Sequence, residues 1–192
     1  MNIFVLDQCP IISAQMQCDK HVVKMIVESA QMLSTAHRIL DGEKKKRPSK
    51  SGKRMVDYYD LGDVDIEAEL LYYKAVHHKH PCTIWTMESD TNYRWHHQHF
   101  IALCEEYTYR YNKVHATDSK LRSALWALPR NIPKGPLTPF KLAMGTNPEC
   151  FFYNEPIRSY RAYYKTKQDR FKMLWTKRPI PEWFNNAEIY TT

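Results

Sequence analysis

Apolar positions recur at helical spacing through most of the chain. Val22, Val23, Ile26, Ala30, Leu33 and Leu40 fall on one stripe at about 100° per residue. That spacing predicts a helix capped by Asp19 and running to about Leu40, with Gly42 as its stop. A shorter helical stretch opens at Pro10, and another has helical spacing through Ile66, Leu70 and Tyr73. Ser89 or Asp90 is placed to cap a long helix to about Tyr111, through Trp95, His99, Ala102, Leu103 and Tyr107. Asp118 opens a helix carrying Leu121, Ala124, Leu125 and Leu128, and a last helix spans Pro156 to about Trp175. Residues 3–6, IFVL, read as a short strand or a buried extension; the alternation a sheet needs is nearly absent afterwards. The pattern predicts an all-α fold, a single compact helical domain over residues 1–192. A proline-rich loop at 129–139 and an irregular tail at 178–192 interrupt it.

Charge sharpens this picture. Lys44, Lys45, Lys46, Arg47, Lys50, Lys53 and Arg54 lie within eleven residues that hold no acid. With those seven set aside, the chain's 28 basic residues fall to 21, equal to its 21 acidic ones, so the net charge of +7 belongs to one segment. Residues 43–56 are therefore expected to form an exposed basic loop suited to a polyanion. The 192 residues suffice for a sizeable core. No apolar stretch approaches the roughly 18 residues of a membrane span, and the first ten residues lack a signal peptide's basic start. Five cysteines with no CxxC pair favour a reduced, cytoplasmic protein, and five glycines argue against glycine-dependent phosphate loops.

The helix after Asp19 carries the first candidate chemistry. With His21 set at 0°, Lys24 lies near about 300°, Glu28 near about 340° and Gln31 near about 280°, opposite an apolar stripe at about 100–200°. His21 and Glu28 are two turns apart, about 10 Å along the axis, and both can face one substrate. The ordinary reading of such a stripe is a solvated helix face. His37 falls inside the apolar stripe and reads as a hydrogen-bonded core histidine. His77, His78 and His80, and then His96, His97 and His99, match no zinc spacing and read as surface or phosphate-contacting histidines; no metal or other cofactor is expected. YTYRYNKVH and SYRAYYKTK interleave tyrosine with basic residues. Most of these tyrosines read as core-facing, leaving Arg110, Lys113, Arg158, Arg161 and Lys165 as candidate phosphate contacts.

The run D19-K-H21-V-V-K-M-I-V-E28 resembles the first main helix of the bacteriophage pyrimidine-dimer DNA glycosylases. In that family an aspartate, a histidine two residues on and a glutamate seven residues further stand in this order. The match covers about ten residues; YRAYYKTK and PEWF are loosely similar to the family's Lys-, Trp- and Tyr-rich end. The resemblance implies an all-α fold acting on double-stranded DNA, in the host cytoplasm if phage-encoded. It also implies an amine that attacks the sugar C1′ and a glutamate that steadies the cationic sugar and then assists strand β-elimination. Carried over by position, Glu28 takes the carboxylate role and His21 a substrate-orienting one.

The sequence departs from the family at the N-terminus. The family exposes an amine on a small second residue after methionine removal, whereas Asn2 favours retention of Met1. An α-amine titrates at about 8, nearer neutrality than an ordinary lysine at about 10.4, so Met1 is the first candidate nucleophile and Lys24 or Lys20 the next. The family's arginines flanking the glutamate correspond to Val27 and Gln31. Lys20, the basic segment, Arg110 and Arg161 are the residues left to grip DNA. Two classes stay open: an N-glycosyl-cleaving enzyme, and a non-catalytic nucleic-acid-binding protein using the basic segment and the Tyr/Arg surfaces. A weaker third is a host-takeover protein binding an acidic partner.

Overall fold

A computed structural model describes residues 1–62 and 65–185. Helices α1 (Pro10–Gln15) and α2 (Asp19–Asp41) open the fold, followed by strands β1 (Glu43–Pro48) and β2 (Met55–Asp60). Helices α3 (Ile66–Leu71), α4 (Pro81–Glu88), α5 (Asp90–Tyr111), α6 (Ala116–Leu121), α7 (Pro156–Lys165) and α8 (Glu182–Asn185) follow, with short 3-10 turns at Ala124–Trp126, Pro148–Cys150 and Thr166–Asp169. The chain is mostly helical, but not all-α.

The exception is the basic segment. It is a loop only at 49–54: on either side β1 and β2 pair antiparallel, with Lys44 opposite Tyr59 and Lys46 opposite Asp57. Lysines 44–46 can form a strand because the partner strand neutralises two of them. Lys44 Nζ lies 2.9 Å from Asp57, Lys45 Nζ lies 3.0 Å from Asp60, and Arg47 stacks over the Tyr58 ring at 4.4 Å. Those partners are ten or more residues downstream, beyond the reach of a local charge count. Gly52, at φ +69°, makes the turn between the strands, in a region that favours glycine.

Helix α2 is the spine, packing on α4, α5 and α6. Its apolar stripe buries Val22, Ile26, Ala30 and Leu33, while Val23 is exposed. Asp19 is the first helical residue rather than the cap, which is Cys18. Its carboxylate turns outward to Arg110 at 2.9 Å and to the hydroxyl of Thr176 at 2.7 Å. Helix α5 runs as its spacing predicts, with the Ser89 hydroxyl accepting the Asn92 N–H. In α6 the cap is His115 instead of Asp118, which sits inside the first turn and grips Arg122. Helix α7 stops ten residues short of Trp175, because the chain turns to pack Phe171 against His21 and to bring the Trp175 N–H to the Met16 carbonyl at 2.8 Å. Of the expected irregular tail, residues 182–185 form α8 and bury Trp183, and residues 186–192 lie outside the described residues.

Residues 3–6 are the buried extension, not a strand. Ser13 replaces a strand partner: its hydroxyl accepts the Leu6 N–H at 3.0 Å and donates to the Phe4 carbonyl at 2.9 Å. This extension lies on the face of α2 that the helical wheel left polar. Met1 meets Glu28 and Phe4 meets His21, so it runs antiparallel to the helix. Three extended residues span about 10 Å, the rise of seven helical residues. The seven-residue spacing from His21 to Glu28 therefore matches the reach from Phe4 to Met1. No helix among the described residues is long and apolar enough to cross a membrane.

Candidate active site

Glu28 is the centre of the site. Its Oε2 accepts the backbone N–H of Asn2 at 3.0 Å and lies 3.5 Å from the α-amino nitrogen of Met1. Its Oε1 is 3.3 Å from Lys24 Nζ, one turn back on the same helix. Two of the four expected catalytic residues, Met1 and Lys24, thus converge on the carboxylate of a third, Glu28. The Met1 side chain is only 5% exposed, its sulfur taking the Thr83 hydroxyl at 3.8 Å, while the residue as a whole is part-exposed. The side chain is the anchor, and solvent reaches the backbone end. The Asn2 side-chain amide donates to the Ala143 carbonyl at 3.0 Å and so holds the second residue in place.

His21 does not join them. It is buried at 6% exposure, stacked on Phe4 at 4.7 Å and edged by Tyr164 and Phe171. Burial first, then the charges of Lys24 and Lys167, push its pKa down to about 4. The expected substrate-side histidine is a core residue, because the N-terminal extension and the segment after α7 cover the face on which it lies.

His80 comes to the site unannounced by the helical wheel. Arg38 on α2 donates to the carbonyls of Tyr72 and Tyr73, and Thr35, one turn earlier, accepts the Val76 N–H at 3.1 Å. The segment 72–80 therefore runs back along α2 toward Glu28. At its end His80 caps α4, its Nδ1 accepting the Cys82 N–H at 3.2 Å. Burial, then the N-terminal cation and His77, lower its pKa, against a smaller opposing pull from Glu28. The one sequence signal was a histidine directly before a helix-opening proline.

The other candidates divide cleanly. Arg110 is not a phosphate contact: its side chain is fully buried, donating to Asp19, Glu106 and the carbonyls of Gln15 and Gln17. Arg161 is partly committed elsewhere, donating to the Leu6 carbonyl at 2.8 Å and lying over Trp183. Lys165 is buried, and Arg158 pairs with Glu155. Lys20 is exposed over the Phe171 ring, and Lys113 is exposed. On the hairpin Lys46, Lys50, Lys53 and Arg54 are exposed, with no ion pair among the described residues. His37 is the hydrogen-bonded core histidine expected, 2.8 Å from the Tyr93 hydroxyl. His96, His97 and His99 are not surface histidines; all three are buried in α5. Among the described residues no three potential ligands gather around a metal-sized site.

Two surface clefts of about 540 Å³ lie elsewhere, one between Ile11, Ile101 and Trp126 and one beside Phe140 and Ile157; neither is lined by Met1, Lys24, Glu28 or His80. No protein-family model, curated protein or solved structure matches the chain.

Proposed function

We propose that the chain is a DNA N-glycosylase with abasic-site lyase activity, whose nucleophile is the Met1 α-amine and whose carboxylate is Glu28. The observation that carries this reading is the 3.5 Å approach of that amine to a carboxylate fixed on a rigid helix. The neutral amine attacks C1′ and forms an N–C1′ bond. The damaged or modified base departs with the electron pair of its glycosidic bond and takes up the proton that the attacking nitrogen releases. Opening of the C1′–O4′ bond, with protonation of O4′, leaves an iminium. Loss of a C2′ proton then expels the 3′-phosphate. Positive charge develops at C1′ as the base leaves and again in the iminium, and a preorganised anion beside a developing cation lowers the barrier. The exposed hairpin cations Lys46, Lys50, Lys53 and Arg54 supply the field for the DNA backbone.

Borohydride reduction in the presence of duplex DNA carrying an abasic site tests the proposal. A covalent adduct mapped to Met1 supports it; one mapped to Lys24 or Lys20 moves the nucleophile. The hairpin's exposed cations also favour a second reading, a non-catalytic nucleic-acid-binding protein. Salt-dependent DNA binding without any adduct would select that reading.

A further inference from the structure

The first turn of α4 is built onto the N-terminus. The Cys82 thiol donates to Asn2 Oδ1 at 3.5 Å, and the Thr83 hydroxyl reaches the Met1 sulfur at 3.8 Å. His80, the cap of that turn, is thereby fixed next to residues 1 and 2. Its Nδ1 accepts the Cys82 N–H, so the ring proton of the neutral imidazole resides on Nε2. That Nε2–H has no protein partner among the described residues, and His80 is part-exposed. The site thus holds a nucleophile, an anion and one unused, neutral N–H donor whose tautomer is set by a helix cap.

We propose that His80 is a further substrate-contacting residue of this site, its Nε2–H donating a hydrogen bond to a sugar or phosphate oxygen of the nucleotide whose C1′ faces Met1. The assignment rests on the glycosylase reading above. A neutral imidazole suits the position. An imidazolium there would sit beside the Met1 ammonium before attack and beside the iminium after it. A neutral donor engages an oxygen without opposing either cation. Burial and the N-terminal charge both hold the ring in that form.

The test separates cap from donor. His80→Asn keeps a capping oxygen and removes Nε2–H; His80→Gln carries an amide N–H near the position of Nε2 but forfeits the cap geometry. On a duplex with one abasic site, the rate of borohydride-trapped adduct formation and the melting temperature are measured for wild type and both variants. We expect His80→Asn to melt close to wild type and to trap about ten to a hundred times more slowly. His80→Gln should recover part of that rate despite a lower melting temperature. Wild-type trapping rates in His80→Asn overturn the proposal, as does a rate that follows melting temperature across the variants. If the wild type forms no adduct at any amine, the glycosylase reading fails and takes the assignment with it, whereas an adduct at Lys24 or Lys20 moves the nucleophile and overturns the assignment alone. Both outcomes are distinct, because they are seen before any variant is made.

Discussion

Glu28 holds Met1 and Asn2 together: one carboxylate oxygen accepts the Asn2 N–H and faces the Met1 amine, across 26 residues of chain. This interaction ties the start of the chain to the middle of its longest helix. Glu28→Gln retains an acceptor for the Asn2 N–H and removes the charge. We expect stability to fall by about 1 kcal/mol or less in urea denaturation, and adduct formation to slow at least about a hundredfold. Unfolding at room temperature would instead make Glu28 a structural partner of the N-terminus.

Arg38 should be the opposite case. It is wholly buried and donates to the Glu69 carboxylate and to the carbonyls of Tyr59, Glu69, Tyr72 and Tyr73. Burial pushes the Glu69 carboxyl up, but hydrogen bonds from Lys74, Tyr58, the Leu61 N–H and Arg38 outweigh it and hold the pKa at about 2. Arg38→Ala removes one of the four partners of that carboxylate and the donor to four carbonyls, and should cost about 3–5 kcal/mol. A chemical-denaturation change under about 1 kcal/mol would contradict the buried network.

Arg110→Ala should likewise cost about 3–5 kcal/mol, because it leaves the nearly buried Glu106 without one of its two arginine partners, the other being Arg178. It should leave the salt dependence of DNA binding unchanged. A flatter salt slope with an intact melting curve would return Arg110 to the binding surface.

Neutralising Lys46, Lys50, Lys53 and Arg54 together should do the reverse. For every DNA phosphate the protein ceases to neutralise, the slope of log affinity against log salt becomes shallower by about 0.9. The melting temperature should barely move, since exposed charges contribute little to stability. An unchanged slope would remove the hairpin tip from the DNA path.

Stability should fall on mild acidification. His21, His37 and His99 are each pushed down to about 4, in every case chiefly by burial. In the unfolded chain they titrate near about 6.5, so between about pH 6.5 and 4 the unfolded state binds more protons. The folded state is favoured above that window and becomes less stable as pH falls through it, by up to about 3 kcal/mol per histidine. Urea midpoints at pH 7 and pH 5 check this; equal midpoints would mean that these rings are protonated without unfolding.

The long helices were legible because their information is local. Apolar spacing marked α2 and α5, Ser89 and Pro10 marked helix starts, and His37 fell on the core side of the wheel. The hairpin was not, because Lys44 and Lys45 are stabilised by Asp57 and Asp60, and a run of like charge looks solvated until its partner strand is in place. His21 was misjudged for a related reason. A wheel shows which face of a helix is polar, and cannot show that residues 1–4 lie across it.

The amino-acid sequence by itself determined that this chain is mostly helical, that its net charge sits in one segment, and that His21, Lys24 and Glu28 share a helix face. Those properties follow from rise, periodicity and composition. The tertiary structure alone decided which of those residues are buried and which stay exposed. Covering the face with an extended N-terminus buries His21 under Phe4, sets the Met1 amine against Glu28, and brings the cap of α4 alongside. Burial and proximity are properties of the packed chain, and both are set by segments far from α2 in sequence.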